Sequence, residues 1–576
     1  MAVGQEARSR RKRLRPYLAI GAAVALAAGA AAGATAASAS TTSKTAFAGY
    51  QTPALVSASL YKNTKTTTPI KHLVVIFDEN ESFDHYFGTY PYAANTDGTP
   101  FHAKPGTPTV NGLYKKITKS GPVGPLLTKN ANEYNPQRLT HSEALTSDQN
   151  HGYTPEQDAE DNGKMDMFVQ DTEAAVPSGG CAPEYCPPGI VMDYFDGNTT
   201  TALWNYAQDY AMSDNNWDSS FGPSTPGAVN VTSGNTSGAK VLDPAWSATP
   251  GATATSTSVV DVNAKTGLGT MYGDIDPYYD QCSDTNHTTT GALGVLTGEN
   301  IGNLLNAKNV TWGWFEGGFT PTSTNSAGAV CGTTHDNIGG AAVQDYVPHH
   351  EPFQYYASTA NPDHLAPSSL AAIGRTDQAN HQYDTSDFTD ALNGTGGATL
   401  PAVSYIKPPA YEDAHPGYSD PLDEQAFLVN EINAIEKSKY WSSTAIVITY
   451  DDSDGWYDHQ APKIIEGSDD TAIDTSMCTE VAVTGGANGR CGYSQRLPMV
   501  VISPYTRENY VSNNLTDTAS VLKFIENNWL NGKRIPNSFD ASSGSLNAPG
   551  GLLDFNTKPH FTPVILNPST GAVVKR

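Results

Sequence analysis

Two short apolar runs in this chain stop abruptly in acidic and amide groups. Leu73-Val-Val-Ile-Phe77 meets Asp78-Glu79-Asn80, and the run from Ala445 to Thr449 meets Tyr450-Asp451-Asp452. Continuous β-branched runs of this length suit strands buried on both faces, as in a parallel sheet. Further strands are expected at Val310 to Phe315, Ala402 to Ile406 and Met499 to Ile502, with a late one at Phe561 to Leu566. Helical spacing predicts helices at Thr201 to Tyr210, Gln425 to Lys437 and Thr518 to Trp529. Leu428, Ile432 and Ile435 share a face in the second of these, and Val521, Leu522, Ile525 and Trp529 in the third. Ligands in such α/β sheets bind outside the carboxyl ends of the strands. Two strands that both end in oxygen ligands therefore bring those oxygens to one sheet edge, which suits a hard cation. Gly/Ser/Thr/Asn-rich stretches at 234–300 and 318–342 read as loop excursions over such a site.

The first 39 residues change the picture of the whole. Arg8, Arg10, Arg11, Lys12, Arg13 and Arg15 precede an Ala/Gly-rich apolar stretch from Tyr17 to about Thr35, with small-residue cleavage candidates at Ala34-Thr35-Ala36 and Ala37-Ser38-Ala39. This is an export signal, similar to a twin-arginine signal except that Arg13 stands where Phe is usual. A retained membrane anchor is the competing reading, although the stretch is poor in Leu and Ile and falls just short of the ~20 residues a span needs. Residues 40–66 read as a Ser/Thr/Ala-rich linker, 67–540 as the folded domain and 541–576 as a peripheral tail.

The formal charge of the 576-residue chain is −25, and it becomes about −30 once the basic leader is removed. Such a surface repels nucleic-acid backbones and anionic membranes, so neither nucleic-acid binding nor stable membrane insertion is expected. The small number of basic residues means that a phosphate site would draw on metal, histidine and backbone N–H groups. Six cysteines suit an oxidising compartment, and proximity suggests Cys181–Cys186, Cys282–Cys331 and Cys478–Cys491, one of about fifteen pairings.

The motif Glu79-Asn80-Glu81-Ser82-Phe83-Asp84-His85-Tyr86-Phe87-Gly88 resembles the Glu-Asn-Arg-Ser-Phe-Asp-His-Tyr-Phe-Gly signature of the phosphoesterase family of bacterial phospholipases C and acid phosphatases, with Glu81 in place of Arg. Gly222-Pro223-Ser224-Thr225-Pro226 is similar to that family's nucleophile loop. Thr449 to His459 resembles its Thr-Tyr-Asp-Glu block, and Arg496 to Pro504 its Arg-Val-Pro strand. Together these span roughly residues 70–530. The resemblance implies the alkaline-phosphatase-like fold: a three-layer α/β/α sandwich around a mostly parallel sheet.

It also implies roles. Glu79, Asn80, Asp451, Asp452 and Ser224 would hold a divalent cation, and Ser224 would be the nucleophile. An unassisted serine hydroxyl is a weak nucleophile and needs a base or a metal beside it. His151, His349, His350 and His415, each in a segment similar to one of the family's, would stabilise phosphoryl oxygens and protonate the leaving oxygen. His85, Asp458 and His459 read as supporting scaffold. On spacing alone other readings stay open: Asn80 as a turn residue, Asp451-Asp452 as an acidic turn, Ser224 as a helix cap. Pro226-Gly227-Ala228 departs from the family's Pro-Asn-Arg, and Asp452 shortens a position that is often Glu. The expected function is a secreted metal-assisted phosphoester hydrolase working through a phosphoserine on a phospholipid head group or a small phosphomonoester. Alternatives are a non-catalytic cell-surface protein on a decayed hydrolase scaffold, and a glycosidase using Asp451 or Asp452 with a partner acid.

Overall fold

A computed structural model describes residues 47, 49–61, 65–260, 262–284, 292–325, 328–483 and 487–576. The export signal, the first residues of the linker and residues 62–64 lie outside the described residues. Residues 44–576 form one compact unit. Its spine is an eight-stranded sheet of β1 (His72–Asp78), β2 (Ala211–Ser213), β3 (Trp312–Glu316), β4 (Gln382–Asp384), β5 (Val403–Lys407), β6 (Thr444–Tyr450), β7 (Met499–Ile502) and β8 (Tyr510–Ser512), in the order β4-β3-β5-β1-β6-β7-β2-β8. The sheet is parallel except for β7, which runs antiparallel to both its neighbours.

The two apolar runs became the two middle strands, and their alternation explains the three layers. Val74 and Ile76 of β1, with Ile446 and Ile448 of β6, point into one core; Leu73, Val75 and Phe77, with Ala445 and Val447, point into the other. The first core is covered by helices α1 (Thr201–Asp209), α4 (Thr385–Asn393) and α5 (Pro421–Lys437). The second is covered by α2 (Ser224–Ser233), α3 (Ile301–Asn306) and α6 (Ser520–Trp529). A sheet buried on both faces needs no polar positions, hence the uninterrupted apolar text. Helix α5 starts four residues before the apolar pattern: Pro421 takes the first helical position and the Asp420 carboxylate accepts from the Leu422 and Asp423 N–H groups.

The reading of 234–300 as loop needs correction. It holds a four-stranded antiparallel sheet of Ser237–Leu242, Val259–Val260, Gly269–Met271 and Leu293–Leu296. The strands are short and three of them are interrupted by glycine, at Gly238, Gly269 and Gly294, so no alternating pattern announced them. Stretch 318–342 similarly contains paired strands at Ser323–Thr324 and Ala329–Val330, and begins a second hairpin of Thr334–Asp336 with Ala342–Gln344. The cysteines pair as proximity suggested: Cys181–Cys186, Cys282–Cys331 and Cys478–Cys491.

The final segment is less peripheral than its composition suggests. Leu546, Leu552 and Leu553 enter one core, and Val564 and Leu566 the other. Its strand is shorter than expected: only Ile565–Leu566 pairs, with Val573–Lys575, while Phe561 stays exposed. Helix α5 holds it, through Asn433 bonded both ways to Leu566 and the Glu436 Oε2 that accepts the Val564 N–H at 2.6 Å. Phe47 of the linker is buried edge-on against Tyr278, with 5.6 Å between ring centroids.

Burial pushes the Glu436 carboxyl up to about 8. A carboxyl raised in the folded state contributes stability fully present below its unfolded pKa and lost as pH rises through the folded one. Thermal melts of Glu436→Gln between pH 4.5 and 9 should therefore decline less steeply with pH than those of the wild type; identical slopes would assign the pH dependence elsewhere.

Candidate active site

Strands β5, β1 and β6 lie side by side, and their parallel register aligns their carboxyl ends: Asp78 stands opposite Tyr450, and Ile76 opposite Ile406. Everything expected to carry chemistry at the strand ends therefore emerges at one edge. Asn80 turns the chain just past β1 in the left-handed region, φ 56°, which asparagine tolerates better than most residues. Its N–H donates to Asp451 Oδ1 at 2.9 Å, and the Asp452 N–H donates to the same oxygen at 2.8 Å. Adjacent side chains on a strand diverge, but β6 ends at Tyr450, and Asp454 and Gly455 then turn with positive φ. Asp451 and Asp452 thereby serve the same pocket, both fully buried.

Ser224 is the first residue of α2, with Pro223 at the cap position. Its hydroxyl does not cap the helix. It donates to Glu79 Oε2 at 3.0 Å and lies 3.4 Å from Asp452 Oδ2. Gly222 takes φ 119° in the turn before it, and its N–H donates to Glu156 Oε2 at 3.1 Å. Gly227, which stands in the departure from the family's Pro-Asn-Arg, has its own reason. A Cβ there would sit 2.3 Å from the Asp451 carbonyl oxygen, so only glycine lets α2 lie against the end of β6.

The donor set fits a cation. One atom of the Asn80 amide lies 2.6 Å from Glu79 Oε2 and 3.1 Å from Asp451 Oδ1. As nitrogen it bonds both carboxylates, and as oxygen it would join them as a hard-cation ligand. Burial, then Asp451, pushes the Glu79 pKa well up, and burial with Asp451 does the same to Asp452. These groups resist ionising together without a counter-charge.

The four histidines gather around Glu79 and Asn80 in two pairs, His151 with His415 and His349 with His350. His151 Nδ1 lies 3.0 Å from Asp454 Oδ1 and its Nε2 is 3.4 Å from the Asn80 amide nitrogen. His349 Nδ1 is 3.3 Å from Asp276 Oδ1, and its ring packs edge-on against His350, 4.6 Å between centroids. His350 Nδ1 is 3.3 Å from Glu79 Oε1. His415 faces His151 at 5.8 Å, stacks on Tyr418 and bonds through Nδ1 to the Pro416 carbonyl at 2.6 Å. Burial lowers the His151 pKa, but Asp452 and Asp454 outweigh it and hold it well up; His349 is held up against burial by Asp274 and Asp276. Burial pushes His350 and His415 down, so they stay neutral.

Sequence reasoning missed several residues here. It passed over Lys407, the last residue of β5, buried and ion-paired with Glu79. Its position at a strand end beside β1 was the available signal. Of the acids that face the histidines, Asp454 lies inside the Thr449 to His459 block and Asp413 two residues before His415, while Asp276 lies in the stretch read as loop, and none carries a pattern of its own. Glu156 bonds both the Gly222 N–H and Ser453 Oγ, and burial pushes its pKa up to about 7. His85, Asp458 and His459 lie in supporting positions: Arg496 bonds Asp458 Oδ1 at 3.0 Å and reaches Asp84 Oδ1 at 3.3 Å, Asp84 binds His459, and His85 stacks on Trp456.

This edge of buried acids, histidines and one serine is where comparison with known proteins becomes informative. The model of the Phosphoesterase family matches residues 70–530, and the chain belongs to that family. Phospholipase C B of Mycobacterium tuberculosis is 23% identical over 479 residues, 82% of this chain and 75% of that protein. Phospholipase C A of the same organism is 28% identical over 178 residues, covering 31% of this chain and 34% of that one. The non-hemolytic phospholipase C of Burkholderia pseudomallei is 35% identical over 142 residues, 24% of this chain and 19% of that protein. The match thus spans a fifth to a third of the length of the last two relatives. Among solved structures, a protein in the alkaline phosphatase superfamily from Vibrio parahaemolyticus matches with a TM-score of 0.27 at 10% identity, over 63% of this chain and 66% of that one, a likeness too distant to argue from.

Gly227→Ala should fold but separate α2 from β6. The expected cost is about 1–3 kcal/mol in urea unfolding, together with weakened protection of the protein by added divalent cation in thermal melts. A variant as stable as wild type and equally protected would show that the close approach is not required.

Proposed function

We propose that this protein is a secreted phosphoester hydrolase of the phospholipase C or phosphatase type, metal-assisted and acting through a phosphoserine. The observation that carries the reading is the Ser224 hydroxyl, buried at a helix start, 3.0 Å from Glu79 Oε2 and 3.4 Å from Asp452 Oδ2. Glu79, Asn80, Asp451, Asp452 and Ser224 would hold a divalent cation, which when bound lowers the pKa of the serine hydroxyl and polarises the phosphoryl group.

Ser224 Oγ attacks phosphorus, its proton passing to a carboxylate already within hydrogen-bond reach, and the phosphorus–oxygen bond to the leaving group breaks. The imidazoles of His151 and His349, held charged by their acids, face phosphoryl oxygens and return a proton to the departing oxygen. His350, neutral, has one N–H to give, whereas neutral His415 spends its own at Nδ1 on the Pro416 carbonyl and presents Nε2 as an acceptor. Water then attacks phosphorus, releasing phosphate or a phosphorylated head group and restoring Ser224.

Support for secretion comes from the basic-then-apolar leader and from three disulfides. Among the described residues no helix is long and apolar enough to cross a membrane. Relatives named phospholipase C favour a lipid diester as substrate, and a zwitterionic one suits the strongly negative surface better than an anionic one.

Purified mature protein should release p-nitrophenol from p-nitrophenyl phosphate or from p-nitrophenylphosphorylcholine. The preferred ester separates the phosphatase from the phospholipase C reading; release from neither supports the non-catalytic alternative. Ser224→Ala should lower kcat on the order of 10³-fold or more without changing thermal stability in the presence of metal, and retained turnover would reject the covalent role. A chelator should remove activity and added cation restore it; indifference to prolonged chelation would exclude the metal.

A further inference from the structure

The two oxygens of Glu79 face different surroundings. Oε2 lies 3.0 Å from Ser224 Oγ, on the side where Asn80 and Asp451 converge. Oε1 is ion-paired with Lys407 Nζ and lies 3.3 Å from His350 Nδ1. Asp413 Oδ2 closes this second ring, 3.7 Å from Lys407 Nζ and 3.9 Å from His350 Nδ1. Glu79, His350 and Asp413 each offer one ligand atom within 4.8 Å of the others, and all three are buried. Two carboxylates and an imidazole at that spacing are a donor set for a divalent ion. Here the donors surround an ammonium. Burying a lysine is costly unless acids compensate it, and these acids do so on two sides.

The same arrangement recurs elsewhere in the molecule. Asp84, Asp458 and His459 also have ligand spacing, and there the Arg496 guanidinium bonds both acids. In both places a fixed basic side chain stands among donors that would otherwise suit a metal.

We infer that Lys407 takes the place of a second metal ion, so that the site binds a single divalent cation on the Glu79 Oε2 side while the lysine supplies permanent positive charge on the Oε1 side. This rests on the metal reading of Glu79 proposed above. The ammonium cannot leave, so Glu79 and Asp413 are held together even when no ion is bound. Lys407 acts through Glu79 and is a positioning residue.

The test is metal stoichiometry. Full mature chain is stripped, loaded with Mn²⁺ or Zn²⁺, gel-filtered, and its retained ions are counted by inductively coupled plasma mass spectrometry. Wild type should retain one ion per chain, Lys407→Ala two, and Lys407→Ala with His350→Ala one again. Lys407→Arg, which keeps the charge, should stay at one, which covers the case in which Lys407→Ala fails to fold. Two ions in wild type or in Lys407→Arg, or one in folded Lys407→Ala, overturns the inference alone. No ion in any of them overturns the metal reading and the inference together.

Discussion

Buried carboxylates repel one another, and the architecture of this protein's active edge is an answer to that repulsion. Glu79, Asp413, Asp451 and Asp452 are all withdrawn from water at the carboxyl ends of three adjacent strands. Each costs several kcal/mol to bury as an ion unless positive charge is supplied nearby. Lys407 supplies it on one flank and His151 and His349, held above their ordinary pKa, on another. The carboxylates of Glu79 and Asp451 converge on the Asn80 amide between these two flanks.

The sheet provides the rigidity. Strands β5, β1 and β6 are packed on both faces, and their register fixes the separation of the residues just beyond their ends. Helix α2 delivers Ser224 from the opposite direction, and Gly227 allows it to approach the backbone of Asp451 closely enough for the hydroxyl to reach two carboxylates. The segment after β1 is secured in turn by Arg496, whose guanidinium ties Asp84 to Asp458 and lies over the Phe83 ring at 4.5 Å. Charge neutralisation and backbone placement are thus one system.

The periphery differs in kind. The small antiparallel sheet between residues 237 and 296 packs on α2 through Val229, and the loop that carries Asp274 and Asp276 brings one acid to the Thr225 N–H and the other to His349. Three disulfides staple the connecting segments, and Cys282–Cys331 and Cys478–Cys491 lie within small buried apolar clusters.

The chain by itself determined what local rules write into it. Uninterrupted apolar runs specified β1 and β6, the period of Leu428, Ile432 and Ile435 specified α5, and motif text singled out Glu79, Asn80, Ser224, Asp451, Asp452 and the four histidines. Short strands such as Val259–Val260 left no pattern because two residues make no period. Only the tertiary structure decided the partnerships. Lys407 and Glu79 are 328 positions apart, and neither residue type announces the other. Asp454, Asp276 and Asp413 look like any acids in an acidic chain until burial and proximity to an imidazole give them work. Distance in space and withdrawal from water set the energies of charged groups, and a linear text records neither.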